Sequence, residues 1–118
     1  MANRGNWDTV TTERRVHFAL NSAILNAEAT ELLEKNVGWL SRQHRDIIVE
    51  GHCDERGTRE YNLALGQQRA EAVVRFLTAR GVDPDRIQAI SYGKERPMIR
   101  GHNSYSWAKN RRAEINIR

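Results

Sequence analysis

The sequence predicts an α+β fold, a two-layer sandwich in the order β-α-β-α-β-(α)-β with both long helices on one face of the sheet. Three observations predict it. Two stretches, 27–42 and 62–80, space their apolar residues by three and four, as an amphipathic helix does. Shorter stretches before, between and after them alternate apolar with polar residues or run β-branched, as strands do. Turn-forming residues separate the elements.

Each element has its own justification. Val16, Phe18 and Leu20 alternate with Arg15, His17 and Ala19, the pattern of a half-buried strand that Asn21-Ser22 breaks. Asn26 is placed to cap a helix, with Glu28 in its first turn. Ala29, Leu32, Leu33, Val37 and Leu40 form its apolar stripe over 27–42. Ile47-Ile48-Val49 marks a strand over 46–52. Cys53 to Tyr61 is polar, contains Gly57 and reads as a loop. Leu63, Gly66, Ala70, Val73 and Leu77 mark the second helix over 62–80, and small Gly66 and Ala70 let that face sit close to a sheet. Gly81 stops it as a C′ glycine, and Pro84 follows. Ile87 to Tyr92 reads as a third strand, 93–103 as a loop, and 104–111 as one short helix. Ala113, Ile115 and Ile117 alternate with Glu114 and Asn116 in a terminal strand. Residues 1–13 read as a polar tail and 14–118 as one domain.

Composition narrows the function classes. A chain of 118 residues is one domain's length and buries a core without disulfide staples. Apolar content of 39% is too high for a disordered chain at a net charge of +4. Without roughly 18 consecutive apolar residues, no transmembrane helix is expected. No apolar stretch follows Met1-Ala2-Asn3-Arg4, so no secretory signal is read. The single Cys53 cannot form an internal disulfide and leaves cytoplasm and periplasm both open. Charge is uneven: residues 1–60 hold 8 basic and 10 acidic side chains, residues 61–118 hold 11 and 5. An acidic partner should meet the second half first.

The densest polar cluster, Glu50-Gly51-His52-Cys53-Asp54-Glu55-Arg56-Gly57-Thr58, falls where a strand ends and a helix begins, a common ligand position. Asn62, Gly66 and Arg69 share a face of the following helix, which can point back toward Asp54. One acid and one guanidinium around a common pocket suit a zwitterion: the carboxylate takes an ammonium and the guanidinium forks onto a carboxylate. Spacing alone leaves the plainer reading open, with Asp54 as a loop cap and Arg69 as a solvated helix residue. His52, Cys53, Asp54 and His102 are metal-ligand types, but no metal-binding spacing links them and adjacent strand residues point to opposite faces. Cys53 is expected to be a small buried apolar residue. No nucleophile elbow occurs, and Asp54-Glu55 are too close in sequence to flank one glycosidic bond. Lys109-Asn110-Arg111-Arg112 beside Tyr105 and Trp107 invites a nucleic-acid reading, but the folds and motifs that go with one are absent.

The run from Glu50 to Asn62, followed by Leu65, Arg69-Ala70 and Val73, closely resembles the OmpA-like peptidoglycan-binding domain family. Ser91-Tyr92-Gly93-Lys94-Glu95-x-Pro97 and Lys109-Asn110-Arg111-Arg112-Ala113 continue the match, which spans about 14–118. Asp-Glu-Arg-Gly-Thr-x-Glu-Tyr-Asn is similar to the family's lipoprotein branch. The resemblance implies a mixed four-stranded sheet and no enzyme activity; no cofactor is expected, and the ligand spacing above gives no metal site. It implies binding of the peptide stem of peptidoglycan through meso-diaminopimelate, whose free end carries an ammonium and a carboxylate. Asp54 would then pair with the ammonium and Arg69 hold the carboxylate, with Asn21, Asn62 and Leu65 beside the pocket and Arg111 on its rim. Backbone amides of the loop, at Glu55, Gly57 and Thr58, would add donors.

The chain departs from the family pattern at Leu20-Asn21, where the branch has Phe-Asp, at Cys53, where Ala or Thr is usual, and at Gly66, often Ser. The branch's lipidated N-terminal cysteine is not in this sequence, so membrane anchoring is an implication of the family only. So are a TolB-like periplasmic partner, its use of a surface overlapping the wall site so that the two exclude each other, and a place at the periplasmic face of the outer membrane. The rivals are the OmpA-like domain of a porin tail or flagellar stator, and a cell-wall hydrolase. On the resemblance, Asp54→Ala and Arg69→Ala are expected to abolish wall binding with the fold intact. Arg96, Arg100 and Arg112 are expected to form a solvated basic face.

Overall fold

The computed structural model describes residues 13–118. The elements run β1 (Arg15–His17), α1 (Ala27–Leu40), β2 (Ile47–His52), α2 (Arg59–Thr78), a 3₁₀ turn (Pro84–Arg86), β3 (Ile87–Gly93), α3 (Ser104–Asn110) and β4 (Arg112–Ile117). The expected tail lies outside the described residues except for Glu13, whose carbonyl accepts from Asn36 Nδ2 at 3.1 Å.

The sheet order is β1-β4-β2-β3. β2 pairs parallel with β3, and β4 runs antiparallel between β1 and β2, so the sheet is mixed. Register places Val49 opposite Ile115, Val16 opposite Ala113, and Ile47 opposite Ile87. These residues point to one face and join Ala29, Leu33 and Leu40 of α1 and Ala70, Val73 and Leu77 of α2 in one core. Both long helices therefore cover the same face. The other carries Glu50, His52, Arg112 and Glu114, since side chains alternate along a strand.

Two boundaries and one helix face differ from expectation. β1 ends at His17, and Leu20 stands half exposed at 51%. The reason is a competing donor: the carbonyls of Ala19 and Ser22 bond the Arg69 guanidinium, and Asn21 turns the chain at φ +54°. The second helix begins at Arg59, not 62, because Thr58 caps it by accepting from Tyr61 N at 3.1 Å. Its first turn faces solvent, so no apolar periodicity marked it. α1 also buries Asn36 and Trp39, which the apolar stripe omitted. Trp39 Nε1 donates to Asn36 Oδ1 at 2.8 Å, so the indole is buried with its polar atom satisfied.

Gly81 does end α2. It sits at φ +108°, its amide donates to Thr78 O, and Val82 N reaches Leu77 O, the paired bonds of a Schellman motif. The expected close approach is also present: a Cβ on Gly51 would lie 1.7 Å from Gly66 O. That contact seats the first half of α2 directly on the C-terminal half of β2, where the polar cluster begins.

Candidate functional site

A cleft of about 230 Å³ opens where β2 ends and α2 begins. Asn21, Asp54, Asn62, Leu65, Arg69 and Arg111, the six side chains singled out in the sequence, all line it. They come from four segments: the turn after β1, the loop after β2, α2, and the junction of α3 with β4. Gly57 also lines it, at φ +94°. Glu55 and Thr58 do not: Thr58 caps α2, and the Glu55 side chain turns to the outer side of the loop.

Asp54 is buried at 4% exposure. Its Oδ1 accepts from the Arg56 amide at 2.9 Å and from Arg56 Nε at 3.3 Å. Its Oδ2 accepts from Arg56 Nη2 at 2.8 Å and from Arg111 Nη1 at 3.4 Å. Burial pushes this carboxyl upward, but hydrogen bonds and charge from Arg56, helped by Arg111, outweigh it and hold the group below the usual carboxylate range. Asp54 is thus a fixed anion.

Arg69 is fully buried, at 0% exposure, and is not a solvated helix residue. Nε donates to Ser22 O at 2.8 Å, Nη1 to His52 O at 3.0 Å and Nη2 to Ala19 O at 3.0 Å. The Phe18 ring lies against the guanidinium, 5.3 Å from centroid to Cζ. Each Nη keeps a second N–H, since a guanidinium has five donors. One side chain therefore fastens the turn after β1 to the end of β2 while presenting positive charge to the cleft. Arg69→Ala would leave three carbonyls without this donor, so that variant should lose stability as well as binding.

The remaining residues hold the loop. Asn62 Nδ2 donates to Arg56 O and Thr58 O at 2.8 and 3.0 Å. Tyr61 OH donates to Asn21 Oδ1 at 3.0 Å, tying the two sides of the mouth. Arg111 Nε donates to Phe18 O at 2.8 Å. On the outer side, Glu55 accepts from Trp107 Nε1 at 2.8 Å and meets His102 Nδ1 at 2.7 Å, and Lys94 Nζ donates to Gly57 O at 2.6 Å. Cys53 is buried, as expected, and burial pushes its thiol upward, which leaves it a poor nucleophile. Among the described residues, no three His, Cys, Asp or Glu side chains are placed to hold a metal.

Sequence reasoning missed Arg56 and Tyr61. Arg56 stands two residues from Asp54 in a loop that Gly57 turns, and that short acid-x-Arg spacing beside a glycine was its available signal. It also misjudged Arg112, which is buried and donates to Glu114 Oε2 at 2.6 Å and to the carbonyls of Asn110 and Arg96. β4 places Arg112 on the sheet face away from the helices, beneath the 96–101 loop. Arg96 and Arg100 are exposed.

In this cleft one buried carboxylate lies among three guanidiniums, of Arg56, Arg69 and Arg111. Such an arrangement can hold an ammonium and a carboxylate of one ligand by charge-assisted hydrogen bonds.

The OmpA family model matches residues 17–111. The peptidoglycan-associated lipoprotein of Pseudomonas aeruginosa is 48% identical over 99 residues, which cover 84% of this chain and 59% of that protein. That of Brucella melitensis is 49% identical over 106 residues, 89% of this chain and 63% of its own length. The chain thus spans about three fifths of the curated relatives it matches. The crystal structure of the peptidoglycan-associated lipoprotein from Burkholderia pseudomallei superposes with a TM-score of 0.88 at 44% identity, covering 92% of this chain and 93% of that one.

Proposed function

The chain belongs to the OmpA family, and on that premise we propose that it binds the peptide stem of peptidoglycan without cleaving it. The ligand group is the free end of meso-diaminopimelate. Asp54 takes the ammonium; Arg69 and Arg111 take the carboxylate; Asn21, Asn62 and Leu65 shape the walls. Gly57 contributes backbone to the loop, and amides of Glu55 and Thr58 are secondary. The observation that carries this reading is the convergence of Asp54, Arg69 and Arg111 on one cleft. Identities of 44–49% to peptidoglycan-associated lipoproteins favour that branch over a porin tail or a flagellar stator.

Each charge-assisted contact is worth roughly 1.5–3 kcal/mol. Two of them with loop donors support micromolar affinity, on the order of −8 kcal/mol. Reversible binding of that strength suits a tether between outer membrane and wall, with the membrane end supplied by a lipid anchor as the relatives' name implies. A TolB-like periplasmic protein is the proposed protein partner, on a surface that overlaps the cleft.

Calorimetry with a diaminopimelate stem peptide and its lysine counterpart, which lacks the terminal carboxylate, tests the reading. The diaminopimelate peptide should bind at least about tenfold more tightly, the equivalent of one charge-assisted contact. Asp54→Asn should weaken it by a similar factor. Equal binding of both peptides would overturn the assignment. Incubation with intact sacculi should release no soluble muropeptide; release would favour a hydrolase.

A further inference from the structure

A carboxylate offers about four lone-pair sites. All four on Asp54 are taken within the chain: two by Arg56 Nε and Nη2, one by the Arg56 amide, and one by Arg111 Nη1. An incoming ammonium must therefore displace a donor. The Arg56 amide is part of the loop, and the Arg111 side chain is 17% exposed and also fastened to Phe18 O. The Arg56 side chain is 38% exposed and is the one that can move.

It also has somewhere to rest. Its guanidinium lies over the Trp107 ring, 4.0 Å from the centroid, and the indole is itself held by Glu55. A stacked arginine can slide across an aromatic face while keeping much of its attraction. Lys94 and Glu55 clamp the loop from outside, so the side chain can leave without the backbone following.

We propose that Arg56 competes with the ligand ammonium for Asp54 and so sets an affinity threshold that a plain amine does not reach. The proposal rests on the stem-peptide reading. A simple amine gains only the Asp54 contact and must displace Arg56 to get it. A zwitterion also gains the contacts of its carboxylate with Arg69 and Arg111, which offset that cost. Arg56 therefore lowers affinity for every amine ligand and leaves useful binding to those that carry a carboxylate as well. The site rejects plain ammonium groups by keeping an internal cation in their place.

The test uses Arg56→Gln, with Arg56→Lys as a second variant that keeps the charge and loses the planar fork. Three stem peptides are titrated into each protein by calorimetry: one with diaminopimelate, one with lysine, and one with 2-aminopimelate, which keeps the terminal carboxylate and lacks its amine. Circular dichroism checks the fold. Arg56→Gln should bind the diaminopimelate peptide about tenfold more tightly, the size of one charge-assisted contact released. The lysine peptide should gain by the same factor, so its binding rises while the ratio between the two, set by the carboxylate contacts, stays as in the wild type. The aminopimelate peptide should gain nothing. Arg56→Lys should fall between wild type and Arg56→Gln. If Arg56→Gln weakens the diaminopimelate peptide, or strengthens all three alike, the competition is refuted while the stem-peptide reading stands. If the wild type binds none of the three, the stem-peptide reading fails first and takes this proposal with it.

Discussion

The two long helices cover the same sheet face by opposite means. α1 is fastened by apolar bulk: Leu33 and Leu40 are buried to 0% and 1%, and Trp39 closes its end. α2 also has an apolar stripe, but its first half is set by a missing side chain and a buried charge. Gly66 touches Gly51 backbone to backbone, and Arg69 bonds three carbonyls. An apolar stripe tolerates small shifts, because dispersion and burial are not directional. A glycine contact and a guanidinium fork do not. The helix that carries the cleft is the one held by directional, close-range contacts.

The sharpest way to break this contrast is to compare glycines. Gly51→Ala places a Cβ 1.7 Å from Gly66 O, which is backbone on both sides and cannot turn away. Urea denaturation should show a loss of more than about 3 kcal/mol, the upper end of overpacking.

Arg69→Ala comes next. Removal of the buried donor leaves the carbonyls of Ala19, Ser22 and His52 short of a partner, so stability should fall by about 2–3 kcal/mol. Arg69→Lys should recover part of that stability yet still bind the stem peptide poorly, since an ammonium cannot span three carbonyls and fork onto a carboxylate. Recovery of both properties by lysine would show that the fork is not needed.

A pH titration probes the same junction from beneath. The His52 carbonyl bonds Arg69, while its ring stacks on Tyr92 and faces Glu50, Arg112 and Glu114. Burial, followed by the Arg112 charge, pushes the imidazole below its ordinary value of 6.5. The folded state therefore binds this proton less readily than the unfolded state. The contribution is fully present above the unfolded value near 6.5 and is lost as pH falls toward the folded value. Thermal melts between about pH 7.5 and 5.5, one unit either side of the ordinary histidine value, should decline in the wild type and decline less in His52→Gln, where His17, also pushed below its ordinary value by burial, still contributes. An equally steep decline in the variant would assign it to other groups.

The smallest effect has the opposite sign. Gly38 lies inside α1, and a Cβ there meets nothing within 4 Å. Gly38→Ala should stabilise by about 0.5–1 kcal/mol through helix propensity alone. The same substitution type thus helps on one helix and breaks the packing of the other.

Much of this was legible in the linear chain. The strand and helix order followed from periodicity, and the close approach at Gly66 followed from small residues on an otherwise apolar stripe. The cleft residues needed the family resemblance as well, because Asp54 and Arg69 by spacing alone fit a cap and a solvated helix residue equally well. The start of α2 at Arg59 was hidden because its first turn faces water and carries no apolar repeat. The exposure of Leu20 was hidden because the pattern reads strand while Arg69, far along the chain, claims the carbonyls of that turn.

By itself the sequence determined which faces are apolar, where the chain must turn and where the charges sit, since these depend on side-chain chemistry at fixed local spacing. Only the tertiary structure decided which charge meets which partner. Asp54 pairs with Arg56 and Arg111, Arg69 serves backbone carbonyls, and Arg112 is buried under a loop and not solvated. The reason is physical: an ion pair or a guanidinium fork needs its partner within about 3 Å at the right angle, and contacts of that range between distant segments exist only once the sheet has brought them together.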